Sequence, residues 1–158
     1  MANDFKFDNK EFKKYLQNFE KMVTEFDTWL KTFLLQQAQR CVANAKKRTP
    51  VDTGALRASW GIGTQVITLK QSSSGKMSID PENSTITDIK VVGDNLEVTI
   101  WNGMEYASYV EYGHTTKGRG GWVDGEYMLT ISITEVERAM PSRFNREFEQ
   151  FLKRWDVK

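Results

Sequence analysis

The residues whose spacing comes nearest to a chemical site lie in the glycine-rich segment 113–125. Gly113 and Gly118 are separated like the two glycines of the phosphate-binding Gly-x-x-x-x-Gly-Lys-Ser/Thr loop. That loop continues with a lysine for the phosphate charge and a hydroxyl for magnesium, whereas this chain continues with Arg119 and Gly120. The sequence therefore argues against a nucleotide site and predicts a flexible glycine-rich loop.

The other candidates for chemistry do not form a cluster. His114 and Cys41 are the only histidine and cysteine, and so distant a pair does not supply the ligands of a zinc site. Glu111 has no visible carboxylate partner for acid–base catalysis, so a salt bridge or a helix cap is the favoured role. Cys41 falls within a helical pattern and is expected to pack as a small apolar residue. We therefore expect no enzymatic activity, no cofactor and no metal site.

The composition is that of one globular domain without a strong electrostatic preference. The 158 residues are 39% apolar and 12% aromatic, which argues against disorder. The 22 basic and 21 acidic residues nearly cancel, so the overall charge favours neither nucleic acid nor an anionic membrane. No apolar run approaches the roughly 20 residues of a membrane span, and residues 1–21 are too charged for a signal peptide. We expect a protein made in the cytoplasm, with no membrane partner.

The strongest periodic signal runs through residues 8–48 and predicts a long amphipathic helix. One apolar stripe recurs every seven residues and is formed by Phe12, Phe19, Phe26 and Phe33. An unbroken helix of this length would extend about 60 Å, whereas a domain of this size has a radius of gyration of about 15 Å. Either the helix breaks near residues 24–28, or its N-terminal half leaves the body and packs on another subunit. The second alternative makes the four phenylalanines subunit-interface residues.

The segment 49–60 is predicted to turn the chain from helix to sheet. Pro50 removes the backbone donor that a continuing helix needs. Asp52 has the short acceptor side chain of an N-cap, and Gly54 permits a tight backbone before about one helical turn. We therefore expect Pro50, Asp52 and Gly54 to act in folding.

Residues 61–102 predict an antiparallel sheet of about three to five strands. The β-prone segments are 62–69, 86–92 and 96–101. Gly93-Asp94-Asn95 has the composition of a hairpin turn between the last two segments. The polar insertion 70–85 is long for a connection inside a domain and is either a mobile loop or a projecting hairpin.

The C-terminal region, residues 126–158, is predicted to contain helices interrupted at Pro141. Apolar residues recur at helical spacing before the proline, and Ser142 can cap a terminal helix after it. The fold class is therefore α+β. We expect a single domain whose sheet is covered by the C-terminal half of the first helix and by these helices near the C-terminus.

Two motifs in the chain resemble a known family. They are Arg48-Thr-Pro-Val-Asp-Thr-Gly-Ala-Leu-Arg-Ala-Ser-Trp60 and, further on, Tyr106-Ala-Ser-Tyr-Val-Glu-Tyr-Gly113. Together and in this order they resemble the paired motif of the tail-completion proteins of tailed phages, the gp-ten type of lambdoid phages. The motif positions are Pro50, Asp52, Thr53, Gly54, Leu56, Tyr106, Ala107, Tyr109, Glu111 and Gly113.

The resemblance implies a structural virion protein. Such a subunit forms a ring at the head-proximal end of the tail of a phage or phage-derived contractile particle, ends the tail tube and joins head to tail. Its implied partners are copies of itself, six for a sixfold tail, together with tail tube or tail terminator proteins and neck or connector proteins. It is assembled in the host cytoplasm. Trp122 is then a subunit-interface residue, and Lys117 and Arg119 face an acidic neighbour or DNA in the channel.

Two alternatives remain beside this function. A head-completion or stopper ring on the portal side differs only in its neighbours. A small DNA-binding module belongs to another class and would use the basic residues Lys46, Lys47, Arg48, Arg57, Lys117 and Arg119. Salt-dependent binding to duplex DNA would favour the module, whereas concentration-dependent rings without DNA affinity would favour the structural role.

Overall fold

The computed structural model describes residues 10–66, 69–71, 77–79, 85–87, 89–118 and 120–155. The helices are α1 Lys10–Arg48, α2 Ala55–Ala58, α3 Ala107–Tyr112 and α4 Met128–Arg154. The strands are β1 Trp60–Ile62, β2 Thr64–Val66, β3 Leu69–Gln71, β4 Met77–Ile79, β5 Thr85–Thr87, β6 Lys90–Val92, β7 Asn95–Glu97, β8 Ile100–Asn102, β9 Gly113–Thr115 and β10 Trp122–Asp124. The predicted α+β class is confirmed.

Helix α1 is continuous over 39 residues, which corresponds to about 58 Å at 1.5 Å per residue. The break considered near residues 24–28 is absent. The hydroxyls of Thr24 and Thr28 each donate to a carbonyl one turn earlier, so both stay inside the helix instead of capping a second segment. Asp27 pairs with Lys31 one turn later, with 2.6 Å between Oδ2 and Nζ. The chain therefore follows the alternative of an unbroken helix.

Helix α4 is also continuous, and the prediction that it ends at Pro141 is wrong. It runs through the proline for 27 residues and packs antiparallel to α1 on both sides of it. Glu135 pairs with Arg48 before the proline, and the ring of Phe144 lies 5.4 Å from that of Trp29 after it. These contacts offset the roughly 3 kcal/mol that a proline inside a helix costs.

An aromatic cluster joins the middle of α1 to the C-terminal half of α4. Its members are Phe26, Trp29 and Phe33 of α1 with Phe144, Phe148 and Phe151 of α4. Neighbouring ring centroids are 5.4 to 6.4 Å apart, within the range of favourable aromatic pairs. Phe26 and Phe33 therefore contact α4 of the same chain, which corrects their assignment to a subunit interface. The side chain of Phe12 lies outside the described residues.

A second apolar core lies between the C-terminal half of α1, the strands β1 and β8 and the start of α4. Its buried members are Ala38, Val42, Ala45, Leu56, Trp60, Ile62 and Met128. Strand β1 pairs antiparallel with β8, with Trp60 opposite Asn102. The described strands form two-stranded antiparallel pairs, so the single sheet of three to five strands is replaced by separate ladders.

The described strands of the polar insertion form nested antiparallel pairs. Strand β2 pairs with β5 and places Val66 opposite Thr85, while β3 pairs with β4 and places Gln71 opposite Met77. This nesting follows the hairpin alternative for residues 70–85. A separate hairpin joins β6 to β7 through Gly93-Asp94, as predicted, and Gly93 has the positive φ of 60° that the first central position of such turns requires.

The corner after α1 is held by Thr49, which is fully buried. Its hydroxyl donates to the carbonyl of Ala45 at 2.7 Å and accepts from the indole N–H of Trp60 at 2.9 Å. Its carbonyl accepts from the guanidinium of Arg57 at 2.9 Å. One threonine therefore connects the end of α1, the short helix α2 and strand β1.

Asp52 does not cap α2, so that prediction is wrong. The N-cap of α2 is Gly54, two residues after Asp52, and its backbone is left-handed at φ 83°, a conformation that glycine adopts readily. The hydroxyl of Thr53 accepts from the N–H of Ala55 at 3.3 Å instead. The Asp52 side chain is exposed to solvent.

This geometry predicts a large effect for one substitution at the corner and a small effect for another. Thr49→Val should lower the free energy of unfolding by about 1–3 kcal/mol, because it removes the buried acceptor of the Trp60 indole. Asp52→Ala should change it by less than about 0.5 kcal/mol. Urea unfolding followed by circular dichroism measures both values. A loss for Asp52→Ala as large as that for Thr49→Val would show that Asp52 does have a capping role.

Candidate interaction surface

The two sequence motifs lie side by side in the structure. They line a cleft of about 240 Å³ formed by Pro50, Asp52, Thr53, Gly54, Leu56, Tyr106 and Val110. Asn102 joins them: its side-chain amide donates to the carbonyl of Leu56 at 2.8 Å, and its side-chain oxygen accepts from the N–H of Met104 at 3.0 Å. Sequence reasoning missed Asn102, although an asparagine followed by glycine after a strand is a recognisable turn signal.

Glu111 is a buried helix cap, one of the two roles expected for its isolated carboxylate. The residue is 6% exposed, and its Oε2 accepts from the N–H of Leu129 at 2.9 Å. Its Oε1 accepts from the N–H of Thr130 at 2.9 Å and from the Thr130 hydroxyl at 2.7 Å. These donors lie in the first turn of α4, where backbone N–H groups have no partner inside the helix and the dipole favours negative charge.

Backbone contacts strengthen the same junction between α3 and α4. The N–H of Glu126 donates to the carbonyl of Val110 at 2.8 Å, and that of Tyr127 donates to the carbonyl of Glu111 at 3.0 Å. Tyr127 has a left-handed backbone with φ 48°, which is uncommon for a residue other than glycine. The first turn of α4 therefore fixes the position of α3 and of the side chains that α3 presents.

The segment 113–125 forms a β-hairpin rather than an irregular loop, so the loop prediction is corrected. Strand β9 pairs with β10, with Gly113 opposite Asp124 and Thr115 opposite Trp122. Gly113 has φ 86°, and a Cβ atom there would lie 2.5 Å from the carbonyl oxygen of Val123, so only glycine fits. The tip of the hairpin contains Lys117 and Gly118, and both residues are exposed. Arg119 lies outside the described residues.

Large aromatic side chains are exposed on α3 and on the elements attached to it. We call them the aromatic surface, which consists of Tyr106, Tyr109, Tyr112, Trp122 and Tyr127, each between 41% and 61% exposed. The ring of Tyr109 lies 6.0 Å from the ring of His114. Tyrosine and tryptophan combine an apolar body with a polar tip, and both are enriched at protein interfaces.

Two of the basic residues considered for DNA binding, Arg48 and Arg57, have partners within the chain. Arg48 pairs with Glu135, whose other carboxylate oxygen accepts from Asn44 at 3.3 Å. Arg57 donates to the carbonyl of Thr49. Both side chains therefore have structural partners within the chain.

The described residues hold no group suited to thiol or metal chemistry. Burial, with a smaller contribution from the nearby Glu137 carboxylate, raises the pKa of the Cys41 thiol to about 11. The thiol is therefore protonated near neutral pH and unreactive. No group of three or more His, Cys, Asp or Glu side chains in the described part of the chain could hold a metal ion. None of the helices described here is long and apolar enough to cross a membrane.

Comparison with protein-family models gives a match over residues 10–113. The family is HK97-gp10-like, described as "Bacteriophage HK97-gp10, putative tail-component". The match covers more than half of the chain, including α1 and both motifs. The chain belongs to this family. Comparisons with curated proteins and with solved structures give no significant match.

Membership gives this HK97-gp10-like protein a structural role as a phage tail component of the virion. Such a component works by contact with other tail or head proteins. The match to the family ends at Gly113, where the hairpin of β9 and β10 begins. The aromatic surface of the HK97-gp10-like protein therefore combines motif tyrosines inside the matched region with Trp122 and Tyr127 beyond it.

Proposed function

We propose that this protein is a tail-completion or neck subunit. It forms a ring at the head-proximal end of the tail of a phage or phage-derived contractile particle, ends the tail tube and mediates head–tail joining. The observation that carries the proposal is the family match, together with the meeting of its two motifs beside one exposed aromatic surface. A head-completion ring on the portal side would use the same surfaces with different neighbours.

The aromatic surface contacts the adjoining tail protein in this proposal. Its tyrosines and tryptophan are exposed and combine an apolar body with a polar tip, which suits a surface that exists free before it is covered by a partner. The carboxylate of Glu111 and the Tyr127 backbone hold α3 in place, so little conformational freedom is lost on docking. Lys117, and Arg119 beside it in sequence, then face an acidic neighbour or the DNA channel.

A DNA-binding module is the weaker candidate. Two of its six basic residues, Arg48 and Arg57, already have partners in the chain, and the net charge is only +1. Because phosphate contacts make affinity steeply salt-dependent, binding to duplex DNA that weakens strongly between low and moderate salt would favour this candidate instead.

Trp122→Ala tests the aromatic surface. We expect a folded protein that still forms rings but gives at least about tenfold fewer joined particles at limiting concentration, because a buried tryptophan anchor contributes about 2 kcal/mol or more to an interface. Reconstitution with the remaining tail proteins, counted by negative-stain electron microscopy, measures the yield. Trp122→Phe is the matched control, which keeps most of the aromatic area and should keep most of the yield.

If the Trp122→Ala variant gave joined particles at the wild-type yield, the aromatic surface would be excluded as the surface that joins head to tail. Loss of ring formation by the same variant would instead place Trp122 between copies of the protein.

A further inference from the structure

We propose that copies of this protein associate head to tail, with the projecting end of α1 from one copy seated in an apolar groove on the next. This inference rests on the proposed ring function and names the two surfaces that build the ring. The first surface is an apolar knob on α1. The second is a groove between α1, α4 and the hairpin of β6 and β7.

The knob is the part of α1 that α4 does not cover. Helix α4 ends at Arg154, and the Trp155 ring that follows lies 5.9 Å from the Nζ atom of Lys21. Beyond that point α1 continues toward Lys10 for about three turns. The knob consists of Tyr15, Leu16 and Phe19 in these turns and of Val23 next to them, each between 42% and 66% exposed. These residues continue the stripe that packs on α4 further along the same helix.

The groove has a volume of about 560 Å³, within the range of roughly 300–1,000 Å³ that is typical of binding pockets. Its apolar wall includes Leu30 and Leu34 of α1, Leu96 of β7 and Met140 of α4. Large apolar side chains left in contact with water favour burial by a partner, and the knob supplies side chains of the matching kind.

Charge complementarity supports the pairing of knob and groove. Lys13 and Lys14 precede the knob and are exposed, while Asp94 and Glu137 lie at the groove and are exposed. None of these four residues belongs to a salt bridge within the described part of the chain. Opposite charges on the two surfaces would steer association and set its register.

A knob that enters the groove must come from another molecule. The knob and the groove wall formed by Leu30 and Leu34 lie on the same continuous helix, about 20 Å apart along its axis between Leu16 and Leu30. A straight helix cannot place its own knob in its own groove. Because the knob and the groove are different surfaces, the contact is heterologous, which is the kind that forms a ring when its rotation closes.

The test mixes two variants that are each defective on one side. Leu16→Asp with Phe19→Asp removes the knob, and Asp94→Lys with Glu137→Lys reverses the charge of the groove. We expect each variant alone to associate at least about tenfold more weakly than wild type. An equimolar mixture should form a one-to-one dimer and nothing larger, because it contains one intact knob facing one intact groove. Native mass spectrometry measures these masses.

A charge swap provides a second measurement on exposed residues only. Adding Lys13→Glu and Lys14→Glu to the groove variant should restore rings of wild-type mass, since both sides are then reversed together. Dimer formation in the mixture also shows that both variants are folded.

The other outcomes are distinct. Wild-type rings from both variants would overturn the knob-and-groove contact and leave the ring function standing. Dimers formed by the groove variant alone would indicate a symmetric contact between knobs and overturn the head-to-tail arrangement. A wild-type protein that stays monomeric at every concentration, including with its tail partners, would overturn the ring function as well.

Discussion

Glu111→Ala is expected to lower the free energy of unfolding by about 2–4 kcal/mol. The variant loses three hydrogen bonds to a buried carboxylate and leaves the N–H groups of Leu129 and Thr130 without acceptors. It also removes a negative charge from the positive end of the α4 dipole. Because the same carboxylate fixes α3, particle joining should fall together with stability.

Two control variants separate the cap from a general effect of charge. Glu111→Gln keeps an acceptor but loses the charge. It should therefore lower the free energy of unfolding by about half as much as Glu111→Ala does. Glu105→Ala removes an exposed carboxylate just before α3. Its free energy of unfolding should stay within about 0.5 kcal/mol of the wild-type value. Urea unfolding gives all three values. A Glu111→Ala variant as stable as Glu105→Ala would contradict the capping role.

Phe151→Ala is expected to lower the free energy of unfolding by about 3–5 kcal/mol. Phe151 is 2% exposed, and its ring contacts those of Phe26, Trp29 and Phe148. Truncation would leave a cavity at the junction of α1 and α4, where the rigid helices cannot close around it. Thermal and urea unfolding at low protein concentration measure the loss.

Phe19→Ala is the matched control, because Phe19 lies on the same α1 stripe as Phe26, which contacts Phe151, but is itself 49% exposed. It should change the stability of the monomer by less than about 0.5 kcal/mol and should matter only in the assembly. Equal losses for Phe19→Ala and Phe151→Ala would mean that the end of α1 is packed within its own chain and is not free for a partner.

Local sequence patterns predicted the elements that are decided locally. The seven-residue recurrence of phenylalanine predicted α1, and Gly93-Asp94 predicted its hairpin, because side-chain periodicity and turn chemistry act over a few residues. The resemblance of two short motifs predicted the family. Their meeting across the cleft followed only from the structure, since it depends on Asn102 bridging distant parts of the chain.

Features decided by distant contacts were missed. Pro141 is a strong local stop signal, yet packing on α1 before and after it keeps α4 whole. The residues next to α4 do not reveal its cap, because Tyr127 at the N-cap position makes no side-chain cap. The capping carboxylate belongs to Glu111 of α3, which is distant in sequence. Asp52 has the side chain of an N-cap, whereas the left-handed backbone of Gly54 makes Gly54 the N-cap of α2.

The segment 113–125 shows how composition can mislead about order. Its glycines indicated a flexible loop, but Gly113 is required by a close backbone approach within the hairpin. The exposed Trp122 is thereby held on a strand, so it can act as a fixed anchor. Joining and ring formation are assigned to separate surfaces, so variants of the aromatic surface and variants of the knob should fail at different steps.

The most direct test of the proposed function is the position of the protein in assembled particles. A tagged subunit can be located by gold labelling and by cryo-electron microscopy of purified tails and joined particles. We predict one ring, at the head-proximal end of every completed tail, with six copies where the tail is sixfold. Label spread along the tube, label confined to the distal tip, or particles without the protein would contradict the proposal.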